Sequence, residues 1–141
     1  MRIIKGLAIA LTLMGSTAQA QDTEYLLFDA KTRQQFAGCL NCERIDDGSV
    51  CNAFGDYGSK SSEKSIWNRF GAFGAPAAEN SPWNRSGHGL VVLDPKGHVY
   101  GRFSLNPASE PGQSDLPMVQ SLLKLYQDGI GLDQIRYLLC Q

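Results

Sequence analysis

The stretch Ser49-Val50-Cys51-Asn52-Ala53-Phe54-Gly55-Asp56-Tyr57-Gly58 returns sixteen residues later as Ser65-Ile66-Trp67-Asn68-Arg69-Phe70-Gly71-Ala72-Phe73-Gly74, and again as Ser81-Pro82-Trp83-Asn84-Arg85-Ser86-Gly87. A fixed period means one structural unit reused against its neighbours, so residues 49–89 read as a repeat block at the centre of the fold. Each copy opens on Ser, a good helix N-cap, and reaches Gly, the preferred residue just past a helix end, little more than one turn later. Pro82, directly after the third Ser, suits a first helical turn. The unit is therefore expected to be a single capped helical turn.

A turn this short is unstable alone, because nucleation costs more than its few hydrogen bonds return. It must be held by what it buries. The expected burying residues are Cys51, Trp67 and Trp83 at one phase and Phe54 and Phe70 three positions later, on the same helical face. Cys51, standing where the other copies have Trp, suggests a covalent tie in place of an indole. Asn52, Asn68 and Asn84 recur in every copy and are expected to close the turns by local side-chain to backbone bonds.

Outward from the block, Glu24–Asp29 and Gln34–Leu40 make a candidate hairpin, and residues 89–105 a stronger one turning at Pro95-Lys96-Gly97. Both turns open alike, Asp29-Ala30-Lys31 and Asp94-Pro95-Lys96. Gly101 in the second hairpin marks a bulge or a close backbone approach. Residues 106–114 are turn-rich and read as a surface linker. Leu116, Val119, Leu122, Leu123 and Tyr126 then fall at helical spacing, with Ser114 or Asp115 as the cap and Gly129 as the stop. Leu132, Ile135, Leu138 and Leu139 make a second short helix, so residues 114–141 form a helical hairpin. The fold class is α+β: a small antiparallel sheet of two hairpins with the repeats inserted between them, two short C-terminal helices and disulfide staples.

Residues 1–20 read as a cleaved export signal: Arg2 and Lys5, an apolar run from Gly6 to Gly15, and Ala18-Gln19-Ala20 as the cleavage site. The apolar run is too short to span a bilayer, so no membrane anchor is expected after cleavage. Residues 21–141 then form one domain, periplasmic or secreted. The net charge is −1 for the whole chain, and −3 once Arg2 and Lys5 are removed. With no basic run, nucleic acid is excluded as the expected partner. In an oxidising compartment Cys39, Cys42, Cys51 and Cys140 are expected to form two disulfides. Spacing leaves three pairings open, and Cys39 with Cys140 and Cys42 with Cys51 is the one favoured.

No catalytic residue, metal set or cofactor is expected. Cys39-Leu40-Asn41-Cys42 is a C-x-x-C, but no helical period follows it as a thioredoxin-type site requires. His88, between glycines, and His98, in a hairpin turn, have no partner placed for acid–base work. Trp67 and Trp83 are candidates for an aromatic ligand platform, although their role in holding the turns is the stronger expectation. Tyr57 and Phe73, alternating with glycine, are expected nearer the surface. With His88 they are the better binding candidates.

The Cys-Leu-Asn-Cys motif, the three phased copies and the closing Asp-x-x-Gly hairpin together resemble a family of small exported bacterial proteins and appended modules with no established activity. The likeness covers about Phe36 to Asn106. It implies no ligand or catalytic residue. The chain departs from the family pattern at Gly74-Ala75-Pro76-Ala77-Ala78, where Gly-Ser-x-x-Ser is expected. The expected function is a non-enzymatic binding module for a protein or cell-envelope partner, of unspecified oligomeric state. The alternative is a thiol-redox protein or small envelope enzyme using Cys39 and Cys42 or His88.

Overall fold

The computed structural model describes residues 22–108 and 110–141. The expected export signal lies outside them. Strands β1 (Leu26–Asp29), β2 (Phe36–Cys39), β3 (Leu90–Leu93) and β4 (Val99–Phe103) are followed by helices α1 (Pro117–Gln127) and α2 (Leu132–Leu139). The strands form one antiparallel sheet in the order β2-β1-β3-β4, so the two hairpins of the α+β fold meet along β1 and β3.

Each hairpin is closed by a buried aspartate. Asp29 accepts bonds from the Thr32, Gln34 and Gln35 amides and the Thr32 hydroxyl. Asp94 accepts from the Lys96 and His98 amides, His98 Nδ1 and the Tyr100 hydroxyl. A short acceptor side chain folded back on its own turn is the reason both turns open on Asp. Burial raises each carboxyl, but the donated bonds outweigh it, holding Asp29 below its ordinary value and Asp94 at about 2.

Gly101 is a close backbone approach: its φ is +89°, and a Cβ there would lie 2.6 Å from Ser114 Cα. The residues against it lie along the outer edge of β4. The Arg102 amide donates to the Gly112 carbonyl, and the Ser114 amide to the Arg102 carbonyl. The expected surface linker thus ends by covering a sheet edge. Pinning Ser114 there also moves the helix start. Neither Ser114 nor Asp115 caps α1, which begins at Pro117 after Leu116 with no side-chain cap. At the other end Gly129 follows Asp128 with φ +87°, as expected of a C′ glycine.

Residues 49–87 form turns rather than helix. Between Asn52 and Asn68 the chain takes four three-residue steps and one four-residue step, each closed by a backbone hydrogen bond, and the same steps run from Asn68 to Asn84. Ser49, Ser65 and Ser81 each accept the amide two residues on with Oγ. Asn52, Asn68 and Asn84 each do the same with Oδ1, while Nδ2 donates to a carbonyl six residues back. The side chains therefore close the turns as expected. Because each Asn opens a new turn, however, the face shared by i and i+3 in a helix is lost. Phe54 and Phe70, expected in the core, are 100% and 80% exposed.

The block also joins the two edges of the sheet. At the β2 edge the Val50 amide donates to the Cys39 carbonyl. Trp67 Nε1 then donates to the Val50 carbonyl at 2.7 Å, and Trp83 Nε1 to the Ile66 carbonyl at 2.8 Å. The Leu105 amide, just past β4, donates to the Pro82 carbonyl. Hydrogen bonds thus run around a ring in which two indole N–H groups take the place of cross-strand amides. Edges that would invite pairing with another chain are covered. Val50, Ile66 and Pro82 are fully buried inside, and Trp83 packs on Tyr126, Phe103 and Trp67 with ring centroids 4.9, 5.3 and 6.4 Å away.

All four cysteines are in disulfides, but the favoured pairing is wrong. The bonds are Cys39–Cys42 and Cys51–Cys140, with Cα separations of 5.6 and 5.4 Å. The C-x-x-C closes on itself in the turn after β2. Cys51 belongs to the first copy, with no earlier copy for a side chain at this phase to reach, and it ties the block to the end of α2 instead. Arg136 reinforces that contact, donating from Nε to the Gly58 carbonyl and from Nη2 to the Cys51 carbonyl.

Candidate functional site

The expected binding residues separate. Trp67 and Trp83 are 2% and 1% exposed, so neither presents a platform; their indoles face inward because their N–H groups close the ring. Phe73, expected near the surface, is also in the core. Its neighbour Gly74 is packed so tightly on the Asn68 backbone that a Cβ would lie 2.1 Å from the Asn68 carbonyl oxygen. Tyr57 is half-buried, edge-on to Phe36 at 4.8 Å. The aromatic candidates are not brought together at one surface.

His88 is partly exposed, its Nε2 lying 3.5 Å from the Glu79 carboxylate. Its carbonyl accepts from the buried Arg102 guanidinium at 2.6 Å, and Arg102 also donates to the Glu110 carbonyl. Burial, with Arg33 nearby, lowers the Arg102 pKa from its ordinary value. This guanidinium holds the loop against β4. His98 is engaged in its turn through Nδ1, 2.7 Å from Asp94. Cys39 is 1% exposed at the end of β2, and Asn41 inside the C-x-x-C bonds the Thr23 carbonyl and the Tyr25 amide. That arrangement clamps the chain start to the sheet. Among the described residues, no group of three or more His, Cys, Asp or Glu is placed to hold a metal ion.

What the turns do present is Phe54 and Phe70. Their amides make the same bond to Asn52 and Asn68, so the rings stand at equivalent positions of successive copies. Beside Phe70 is a cleft of about 650 Å³ between the second turn and the start of α2, lined by Lys60, Arg69, Phe70, Leu132 and Asp133 among others. The Arg69 guanidinium lies 5.1 Å from the Phe70 ring centroid, and Lys60 Nζ is 3.9 Å from the Asp133 carboxylate across the cleft. Beside Phe54 is a second, smaller hollow of about 450 Å³ lined by Phe36, Asp47, Asp56 and Tyr57. Each exposed ring therefore stands next to charged side chains. Chemically, the edge can stack flat apolar surface and exchange hydrogen bonds at its rim.

One signal for this site was present in the chain. The position that holds Phe54 and Phe70 holds Ser86 in the third copy, and a phase that accepts Phe and Ser alike is a surface phase. Compared with protein families, curated proteins and solved structures, the chain has no match.

Proposed function

We propose that the protein is an exported, disulfide-stapled binding module of the cell envelope, and that its binding surface is the Phe54–Phe70 edge of the turn block. One observation carries this reading: two phenylalanines almost fully in water at equivalent positions of a closely hydrogen-bonded scaffold. Burying each ring against a partner would return about 2 kcal/mol. The scaffold fixes the backbone that carries the rings before any partner arrives, which lowers the entropy cost of binding. Export is supported by the two disulfides, and no helix among the described residues is long and apolar enough to cross a membrane. The thiol-redox alternative has less support, because the C-x-x-C sits in a clamp at a strand end with one sulfur buried.

The test is a pull-down from envelope extract with the exported protein against F54S/F70S, the residue found at this phase in the third copy. Wild type is expected to retain envelope material that the variant does not. The substitutions are on the surface and should leave stability within about 0.5 kcal/mol. Equal retention by a folded variant would dismiss the edge as the binding surface.

A further inference from the structure

We infer that the Phe54–Phe70 edge binds a linear glycan, with sugar rings stacked on the two phenyl faces and their hydroxyls met by the charged side chains between and beside them. This rests on the binding-module reading and names the ligand class for that same site. The argument is one of complementarity. A pyranose ring has an apolar C–H face and a rim of hydroxyls, each both donor and acceptor. The cleft beside Phe70 has the matching pair: an 80% exposed ring, with the Arg69 guanidinium over one face, and a Lys60 donor and an Asp133 acceptor 3.9 Å apart. The hollow beside Phe54 carries the acceptors Asp47 and Asp56, and the donor beside them is Lys64, whose Nζ lies 3.9 Å from the Asp56 carboxylate. Two aromatic sites at equivalent positions of successive copies suit a ligand that is itself a chain of similar units.

Other occupants fit less well. The core of a protein interface is depleted in charge, whereas here Asp47, Asp56, Lys60, Arg69 and Asp133 stand among the apolar rings. An anionic membrane surface or a nucleic acid attracts basic clusters, and the Phe54 hollow carries carboxylates. Both signs of charge beside exposed rings select a polar ligand of low net charge with flat apolar faces. The α2 wall of the cleft is held by the Cys51–Cys140 bond and by Arg136, so the site is built before the ligand arrives.

The experiment titrates the full exported protein with the β-1,4-linked hexasaccharide of N-acetylglucosamine by calorimetry, and in parallel with protein-free peptidoglycan sacculi by co-sedimentation. Wild type is expected to bind at least one of the two. Each of F54S and F70S should weaken that binding about tenfold, F54S/F70S should abolish it, and F54Y/F70Y, which keeps both rings, should retain it. Unchanged near-UV circular dichroism and urea midpoint show that the variants are folded. Absence of binding to both probes, or equal binding by F54S/F70S, overturns the glycan assignment. If the envelope pull-down is then still Phe-dependent but abolished by protease, the binding module stands with a protein partner. If no envelope material is retained at all, both readings fall.

Discussion

At the scale of the residue, glycines and asparagines make the turn block possible. Gly74 is required by a neighbour and not by its own backbone angle: a Cβ would meet the Asn68 carbonyl oxygen at 2.1 Å, and that oxygen belongs to backbone that cannot swing aside. Gly71, three residues earlier, is less crowded, with its nearest contact, the Glu63 carbonyl, at 3.0 Å. Gly74→Ala is therefore expected to lose at least about 2 kcal/mol by overpacking, and Gly71→Ala clearly less. Urea midpoints of the two variants at constant slope check the order. Equal losses would mean that the turns yield as readily at one glycine as at the other. The asparagine roles were legible in the chain, since one residue type at one phase in three copies points to a local backbone partner. Phe54 and Phe70 depart from the helical expectation, because the i, i+3 face holds only where a helix continues, and Asn52 and Asn68 each end one turn and open the next.

At the scale of the element, the two hairpins share one device and should share one pH response. Asp94 is held at about 2 in the folded protein, below its ordinary 3.8, because four donors converge on it. A carboxyl whose folded pKa is depressed contributes stability above its unfolded value and loses it as pH falls through the folded one. The contribution of Asp94 is thus complete above about pH 4 and fades toward about pH 2. Asp29, also lowered, acts in the same direction. Asp94→Asn should be less stable than wild type at neutral pH, with a gap that narrows as acid protonates the wild-type carboxylate. Paired urea titrations across that range test this. A gap constant down to about pH 2 would show that the charge contributes nothing to the turn. Strands and turns were readable here because alternation and Asp-x-x-Gly chemistry are local. The start of α1 was not, because Ser114 is committed to a bond with Arg102 that no local pattern announces.

At the scale of the whole molecule, the two disulfides differ in what they constrain. Cys51–Cys140 closes a separation of 89 residues and Cys39–Cys42 one of 3. On chain entropy the first restricts the unfolded state by about 4.5 kcal/mol and the second by about 2 kcal/mol. C51A/C140A should therefore be the more destabilised double variant, and it should also loosen α2 from Gly58 and Cys51, where Arg136 now donates. Equilibrium unfolding, with hydrogen exchange read along α2, measures both. Equal losses from the two pairs would remove loop length as the explanation. The long tie matters beyond stability, since α2 forms one wall of the Phe70 cleft.

The sequence by itself determined what depends on near neighbours: the period of sixteen, the two aspartate-opened hairpins, the amphipathic helices, and inward-facing tryptophans in turns too short to stand alone. Tertiary structure decided what depends on distant partners. It chose Cys51 with Cys140 because the end of α2 lies over the first turn. It made Val50, Ile66 and Pro82 the carbonyl rungs of a ring that joins both sheet edges. It also left Phe54 and Phe70 in water. Only the path of the folded chain tells which face of a turn meets the core, and each new Asn turn redirects that path.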